Sequence, residues 1–280
     1  MDLSETSLNA LQTAIALAKK HDAGIYLLYV DETIATVLES QADGTGSGKG
    51  SLDVLLALSS SIKNANGVLP TVIEERGCVV EAIVKTSLVT QSDLIVMGSH
   101  GASGFRDDYI GSNAYNVIKY ATCPILTIPP KRRFTSFKKV LFPIRPVSGA
   151  MNPYSVASGF LAPKSMVDVL GLSYLNIEKE TTLLDKIVSE IEDVVAKDKV
   201  NMKTFWGSGL SIANDILQFA QQNNSDLIVL TNALDAIPKS NFIGPHAQKV
   251  IHNSRIPLLS IKKMGVQATA LKFQSVYSNQ

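Results

Sequence analysis

Only two cysteines, Cys78 and Cys123, occur in 280 residues, and no close spacing joins them. This excludes a paired-cysteine metal site or redox motif and predicts two reduced, mostly buried thiols in a cytoplasmic protein. The four histidines, at 21, 100, 246 and 252, form no ligand cluster in the sequence. An excess of either charge is missing as well: 26 Lys and Arg stand against 25 Asp and Glu, a net charge of +1. No global field therefore favours nucleic acid or an anionic membrane surface. Long hydrophobic runs are absent. The longest, such as 25–30 and 94–97, fall far short of the roughly 20 residues needed to span a bilayer. The N-terminal MDLSETSLNA has neither the basic region nor the apolar stretch of a signal peptide, so a cytoplasmic location is expected. What is present can still bury a substantial core, with 45% hydrophobic and 18% charged residues. The length suits one large domain or two of average size.

The chain repeats itself. A shift of 133 residues carries SDLIVMGSHG (92–101) onto SDLIVLTNAL (225–234). Without a gap, the same shift takes Gly111 to Gly244, Ala114 to Ala247, Val117 to Val250, Pro124 to Pro257 and Ile128 to Ile261. One register held across a strand, a loop, a helix and another strand indicates duplication of a whole domain. The predicted units are 1–130 and 138–263, joined by PPKRRFTSF (129–137), with a polar tail at 264–280 expected to be disordered.

Within the first unit, residues 4–20 place Leu8, Leu11, Ile15 and Ala18 at helical spacing, with Ser4 as N-cap. GIYLLYV (24–30) reads as a strand buried on both faces. Helices are predicted near 52–63, 79–90 and 112–121, and strands near 71–74, 94–97 and 124–128. Helix alternating with short apolar strand predicts an α/β protein, a parallel sheet covered on both faces. The second unit opens with a strand, KKVLFPI (138–144), that has no counterpart before the first helix. A doubly wound sheet needs that strand at its centre, so either the first unit is truncated or another segment fills the slot; truncation is the favoured expectation.

DGTGSGKGS (43–51) imitates a phosphate-binding P-loop but holds Asp43 and Gly50 where glycine and a hydroxyl residue are required. It is expected to be a flexible surface linker. The glycines of MGSHGASGFRDDYIGSNAYNVI (97–118) are a stronger candidate. They follow an apolar strand and end at Ser112, the start of a helix whose free amides and dipole favour an anion. Glycine there permits positive φ and close backbone approach to a ligand.

The spacing Gly98-x-x-Gly101, nine residues, Gly111-Ser112, after DLIVM and before a helix ending at CPILTI, resembles the nucleotide-binding signature of the universal stress protein family. The opening helix with GIYLLYVDE, and KKVLFPI, are similar to that family's early elements. The resemblance covers roughly 1–263. It implies two doubly wound, Rossmann-type domains of the adenine nucleotide alpha hydrolase-like kind in tandem, and a stress-response protein that binds ATP or AMP. It places the adenine and ribose contacts on Asp2 and Val30, Met97 in the adenine pocket, and the phosphates against Gly98, His100, Gly101, Gly111, Ser112 and Asn113. Mg²⁺ or Mn²⁺ would arrive with the nucleotide. No general base stands beside a candidate nucleophile, so at most slow ATP hydrolysis is expected.

The second unit departs from the signature. Thr231, Asn232, Ala233 and Leu234 replace GSHG, Pro245 replaces Ser112, and Arg145 stands near the position of the family's Asp. Leu234 adds a bulky side chain where backbone approach is needed, and Pro245 removes an N–H from the helix start, so that half is expected to bind no nucleotide and to serve as a structural partner. The resemblance further implies pairing of two such domains, within the chain or in a homodimer, through PILTI and PLLSI. An interaction scaffold without nucleotide is the alternative reading.

Overall fold

The computed structural model describes residues 1–32, 47–100, 110–130, 136–147, 154–173, 178–198, 200–207, 210–235 and 243–262. The first half runs α1 (Glu5–His21), β1 (Tyr26–Asp31), α2 (Ser47–Asn66), β2 (Thr71–Arg76), α3 (Val79–Val89), β3 (Ile95–Gly98), α4 (Ser112–Tyr120) and β4 (Ile125–Ile128). The second runs β5 (Phe137–Ile144), α5 (Tyr154–Ala157), β6 (Leu161–Leu172), α6 (Glu178–Val195), β7 (Asn201–Gly207), α7 (Ile212–Gln222), β8 (Leu227–Thr231), α8 (Pro245–Asn253) and β9 (Leu258–Ile261). The alternation expected from the apolar periodicity is thus present. Ser4 caps α1, its hydroxyl accepting from the Ser7 N–H at 3.2 Å. Three local expectations change. Strand β1, expected to be buried on both faces, has only Leu27 fully buried and leaves Tyr26 exposed, since it belongs to a sheet of two strands. Helix α2 starts at Ser47, so the end of the glycine-rich stretch is a helical turn rather than linker. Cys78, expected to be buried, is exposed because it stands just before the first turn of α3, and Cys123 is only partly covered.

Seven strands form one sheet in the order β3-β4-β9-β8-β5-β6-β7, while β1 and β2 pair in parallel as a separate sheet of two. In the second half, β5 lies between β6 and β8 and is parallel to both, so strand order reverses around it. The two halves join by antiparallel pairing of β4 with β9. The register is Ile125↔Ser260, Leu126↔Leu259 and Thr127↔Leu258, so Leu126 faces the residue that is its own equivalent under the 133-residue shift. A seam centred on equivalent residues is what two copies of one surface produce when related by a twofold axis. Around that axis the Tyr115 ring of α4 stacks on the His252 ring of α8, with centroids 5.2 Å apart. The Lys262 ammonium, just beyond β9, donates to the Lys119 and Ala121 carbonyls at the end of α4.

Helices cover both faces of the large sheet. Ala10, Leu17, Tyr154, Leu184, Val188 and Ile191 bury one face. Helices α4, α7 and α8, through Val117, Ile118, Ile216 and Val250, bury the other. Strands β4, β8 and β9 are buried at every position, which explains their continuous apolar sequences. A smaller core of Leu11, Ile15, Leu27, Leu55 and Ile62 lies around β1. The carbonyls of Ile25 and Asp31 bond toward β2. Leu28, of opposite parity, therefore presents its carbonyl to the other edge of β1, where the Met1 amine donates to it. Among the described residues no strand lies between β1 and β3, which leaves the first half's sheet in two pieces.

One buried charge in β6 makes stability depend on pH. Asp168 is 1% exposed, and its carboxylate accepts no hydrogen bond among the described residues. The Lys139 ammonium stands 3.6 Å away. Burial pushes the Asp168 carboxyl above the usual carboxylate range, with Lys139 and Lys203 pulling the other way. The folded state therefore holds a proton that the unfolded chain has lost, and this residue's contribution to stability falls as pH rises from the unfolded value through the folded one. Asp168→Asn is expected to stabilise the protein by about 1 kcal/mol at pH 7, since Lys139 can turn its partly exposed ammonium to water. The gain should vanish near pH 4. Urea denaturation at both pH values measures it, and an equal gain at both would refute the assignment.

Candidate functional site

In an open α/β sheet, ligands meet the carboxyl ends of strands next to the point where strand order reverses. In the first half that end of β3 is Gly98, followed by Ser99 and His100. The Ser99 N–H donates to the Ile128 carbonyl at 2.9 Å, extending the β3–β4 ladder by one residue. The Ser99 carbonyl then accepts from the Gly111 N–H at 2.7 Å. This bond closes the loop at its base and brings Gly98, Ser99 and His100 beside Gly111, Ser112 and Asn113. Gly101 lies outside the described residues.

Gly111 is the N-cap of α4, at φ −64° and ψ 149°. Having no side chain, it supplies no cap hydrogen bond to the first amides of the helix. Ser112 and Asn113 are exposed. The helix therefore presents its first N–H groups and the positive end of its dipole at the carboxyl end of β3. Such an end can hold an oxyanion through two or more successive amides. His100 adds an imidazole beside it, its Nδ1 2.7 Å from the Ser99 hydroxyl.

Neither Gly98 nor Gly111 uses a positive φ; close approach is what makes glycine necessary at Gly98. A Cβ there would stand 2.7 Å from Thr6 Cγ2 and 3.2 Å from the Thr6 backbone carbon. The first turn of α1 thus lies against the end of β3, with Thr6 itself buried. Gly98→Ala is expected to destabilise the protein by about 1–3 kcal/mol, because the clash is with backbone as well as side chain. Thr6→Ser should recover part of the loss. Urea melts of the two single variants and the double variant check this, and an additive double variant would contradict it.

The residues assigned to the adenine side are arranged differently. Asp2 precedes α1, and its Oδ1 accepts from the Ser4 N–H at 3.1 Å and the Ser4 hydroxyl at 2.7 Å. Val30 is half-buried on β1, within the two-stranded sheet. Met97 is half-buried on β3 and packs into the core under α3 and α4, together with Val80, Ile83 and Tyr115. The structure thus brings Gly98 and His100 beside Gly111, Ser112 and Asn113, while Val30 sits in another sheet.

In the second half a carboxylate occupies the equivalent helix end. After β8 a short 3₁₀ turn, Asn232–Asp235, carries the chain away from the sheet. The Asp235 carboxylate then accepts from the His246 N–H at 2.8 Å and the Ala247 N–H at 2.9 Å. These amides are the equivalents of Asn113 and Ala114. Leu234, expected to obstruct backbone approach, instead turns into the core and is 2% exposed. Pro245 occupies the first position of α8, where a missing N–H costs the helix nothing. Asp235 escaped the sequence reading. An acidic residue between a strand and a glycine N-cap is the available signal, but its spacing to α8 is not that of a local capping box.

The universal stress protein family model matches residues 1–129. A curated universal stress protein of Methanocaldococcus jannaschii is 30% identical over 138 residues, covering 47% of this chain and 80% of that protein. Among solved structures, a universal stress protein from Archaeoglobus fulgidus has a TM-score of 0.68 at 21% identity, over 94% of this chain and 96% of that one. Another, from Pseudomonas aeruginosa, has a TM-score of 0.64 at 14% identity, over 90% and 87% of the two chains. At such identities the structures speak for the fold alone, and they extend it across both halves. With a relative 30% identical and matched over 80% of its length, this chain belongs to the universal stress protein family.

Proposed function

We propose that the first half binds an adenine nucleotide, ATP or AMP, as a cytoplasmic stress-response protein, with the phosphates at the α4 N-terminus. The carrying observation is the contrast between two equivalent helix ends. Helix α8 has a carboxylate on its second and third amides, from a residue whose equivalent in the first half is Ala102, and the α4 N-cap, Gly111, offers no side chain. An anion supplied from outside satisfies α4 in the same way. In this reading Gly98, Gly111, Ser112 and Asn113 meet the phosphates, with Gly101 and His100 in the same loop. Asp2, Val30 and Met97 serve the adenosine. The α4 amides and the Ser112 hydroxyl fit a phosphate, donating to oxygens that carry its charge. Among the described residues no group of three His, Cys, Asp or Glu is placed to share a metal ion. Mg²⁺ or Mn²⁺ would therefore be held mainly through the nucleotide itself. No helix among the described residues is long and apolar enough to cross a membrane.

Calorimetric titration of the full chain with ATP and with AMP tests the proposal, and no heat from either ligand would overturn it. The separation of Val30 from β3 into another sheet favours a second reading, an interaction scaffold that binds no nucleotide. The absorbance ratio of the denatured purified protein distinguishes them, since a co-purified nucleotide raises absorption at the nucleobase band.

A further inference from the structure

We propose that Asp235 is a built-in anion that occupies the phosphate position of the second half and holds that position closed to outside anions. Its two carboxylate oxygens lie 2.8 and 2.9 Å from successive amides of α8, the arrangement by which two oxygens of a phosphate bind a helix N-terminus. The fit depends on Gly244. A Cβ at that position would meet Asp235 Cβ and Cγ at 2.2 Å, so the carboxylate fills the space the missing side chain leaves.

Two tethers deliver Asp235 to this place. The Leu234 side chain is buried in the core shared with α8. The Leu234 carbonyl accepts from Arg145 Nη1 at 3.1 Å, which fixes the turn to the end of the central strand β5. The residue equivalent to Asp235 in the first half is Ala102, which has no charge to offer. The second half thus carries its anion covalently, and its glycine N-cap serves the carboxylate instead of a ligand. The contact is autoinhibitory toward anions and stabilises α8 without any ligand. It stands on α8 alone, apart from the reading of α4.

The test uses the isotopically labelled full chain, titrated with inorganic phosphate at constant ionic strength against chloride. In the wild-type protein the His246 and Ala247 amide resonances should not respond. In Asp235→Ala the melting temperature should fall. Phosphate, but not chloride, should raise it again by more than it raises the wild type, and should shift both amide resonances. A variant that folds only with phosphate supports the proposal equally. If Asp235→Ala folds under neither condition, Asp235→Asn decides, since it keeps the size and removes the charge. Phosphate-dependent shifts of the two amides in that variant support the proposal, and their absence overturns it. An Asp235→Ala protein as stable as wild type, or one whose two amides ignore phosphate, also overturns it. The Asn113 and Ala114 amides report on α4 in the same titration, so failure at one helix is distinguishable from failure at the other.

Discussion

Ser112→Pro is expected to weaken ATP binding by roughly a hundred- to ten-thousandfold while leaving the melting temperature unchanged or slightly higher. The substitution removes a backbone N–H and a hydroxyl from the α4 N-terminus. Each hydrogen bond to a charged oxygen contributes about 1.5–3 kcal/mol, and about 1.4 kcal/mol is a factor of ten in affinity. The helix should tolerate the change. Proline is favoured at the first helical position, where its missing N–H has no intrahelical partner. The residue before a proline must be extended, and Gly111 already is, at φ −64° and ψ 149°. The second half carries the same arrangement, Gly244 at φ −72° and ψ 168° followed by Pro245. Titration calorimetry and a thermal melt of the same sample check both parts. Unchanged affinity would place the phosphates elsewhere, and a lowered melting temperature would mean that α4 itself had been damaged.

Leu126→Ala and Leu259→Ala are each expected to destabilise the chain by about 2–5 kcal/mol. Both side chains are fully buried, and they oppose each other at the centre of the β4–β9 seam. Truncating either opens a cavity between strands that are themselves covered by helices and leave little room for collapse. The double variant should be non-additive by about 0.5–3 kcal/mol, because the two residues line one cavity. Urea denaturation of the four proteins measures the cycle. Strict additivity, or single costs below about 1 kcal/mol, would contradict a shared seam.

Much of the architecture was legible in the sequence. Continuous apolar runs such as LIVL (227–230) and ILTI (125–128) become strands buried on both faces, because only a sheet covered twice can use them. Strands β1 and β3, at the divided sheet of the first half, are only half-covered. The 133-residue shift foretold two like halves, and the seam register of Leu126 on Leu259 follows that shift. The glycine spacing located the α4 end of the candidate site, since a glycine N-cap followed by a hydroxyl residue is a local feature of the chain.

Contacts between distant segments were not legible. Gly98 reads in the sequence as a ligand-facing glycine, yet its missing Cβ also accommodates Thr6, more than ninety residues earlier in the chain. Leu234 reads as an obstruction, but the turn after β8 points it into the core and brings Asp235 to α8. The sequence by itself determined the strands, helices and duplicated halves, because apolar period and capping act between near neighbours. Only the tertiary structure decided that the α8 end holds a carboxylate. A hydrogen bond between a turn and a helix eleven residues away depends on where packing places both.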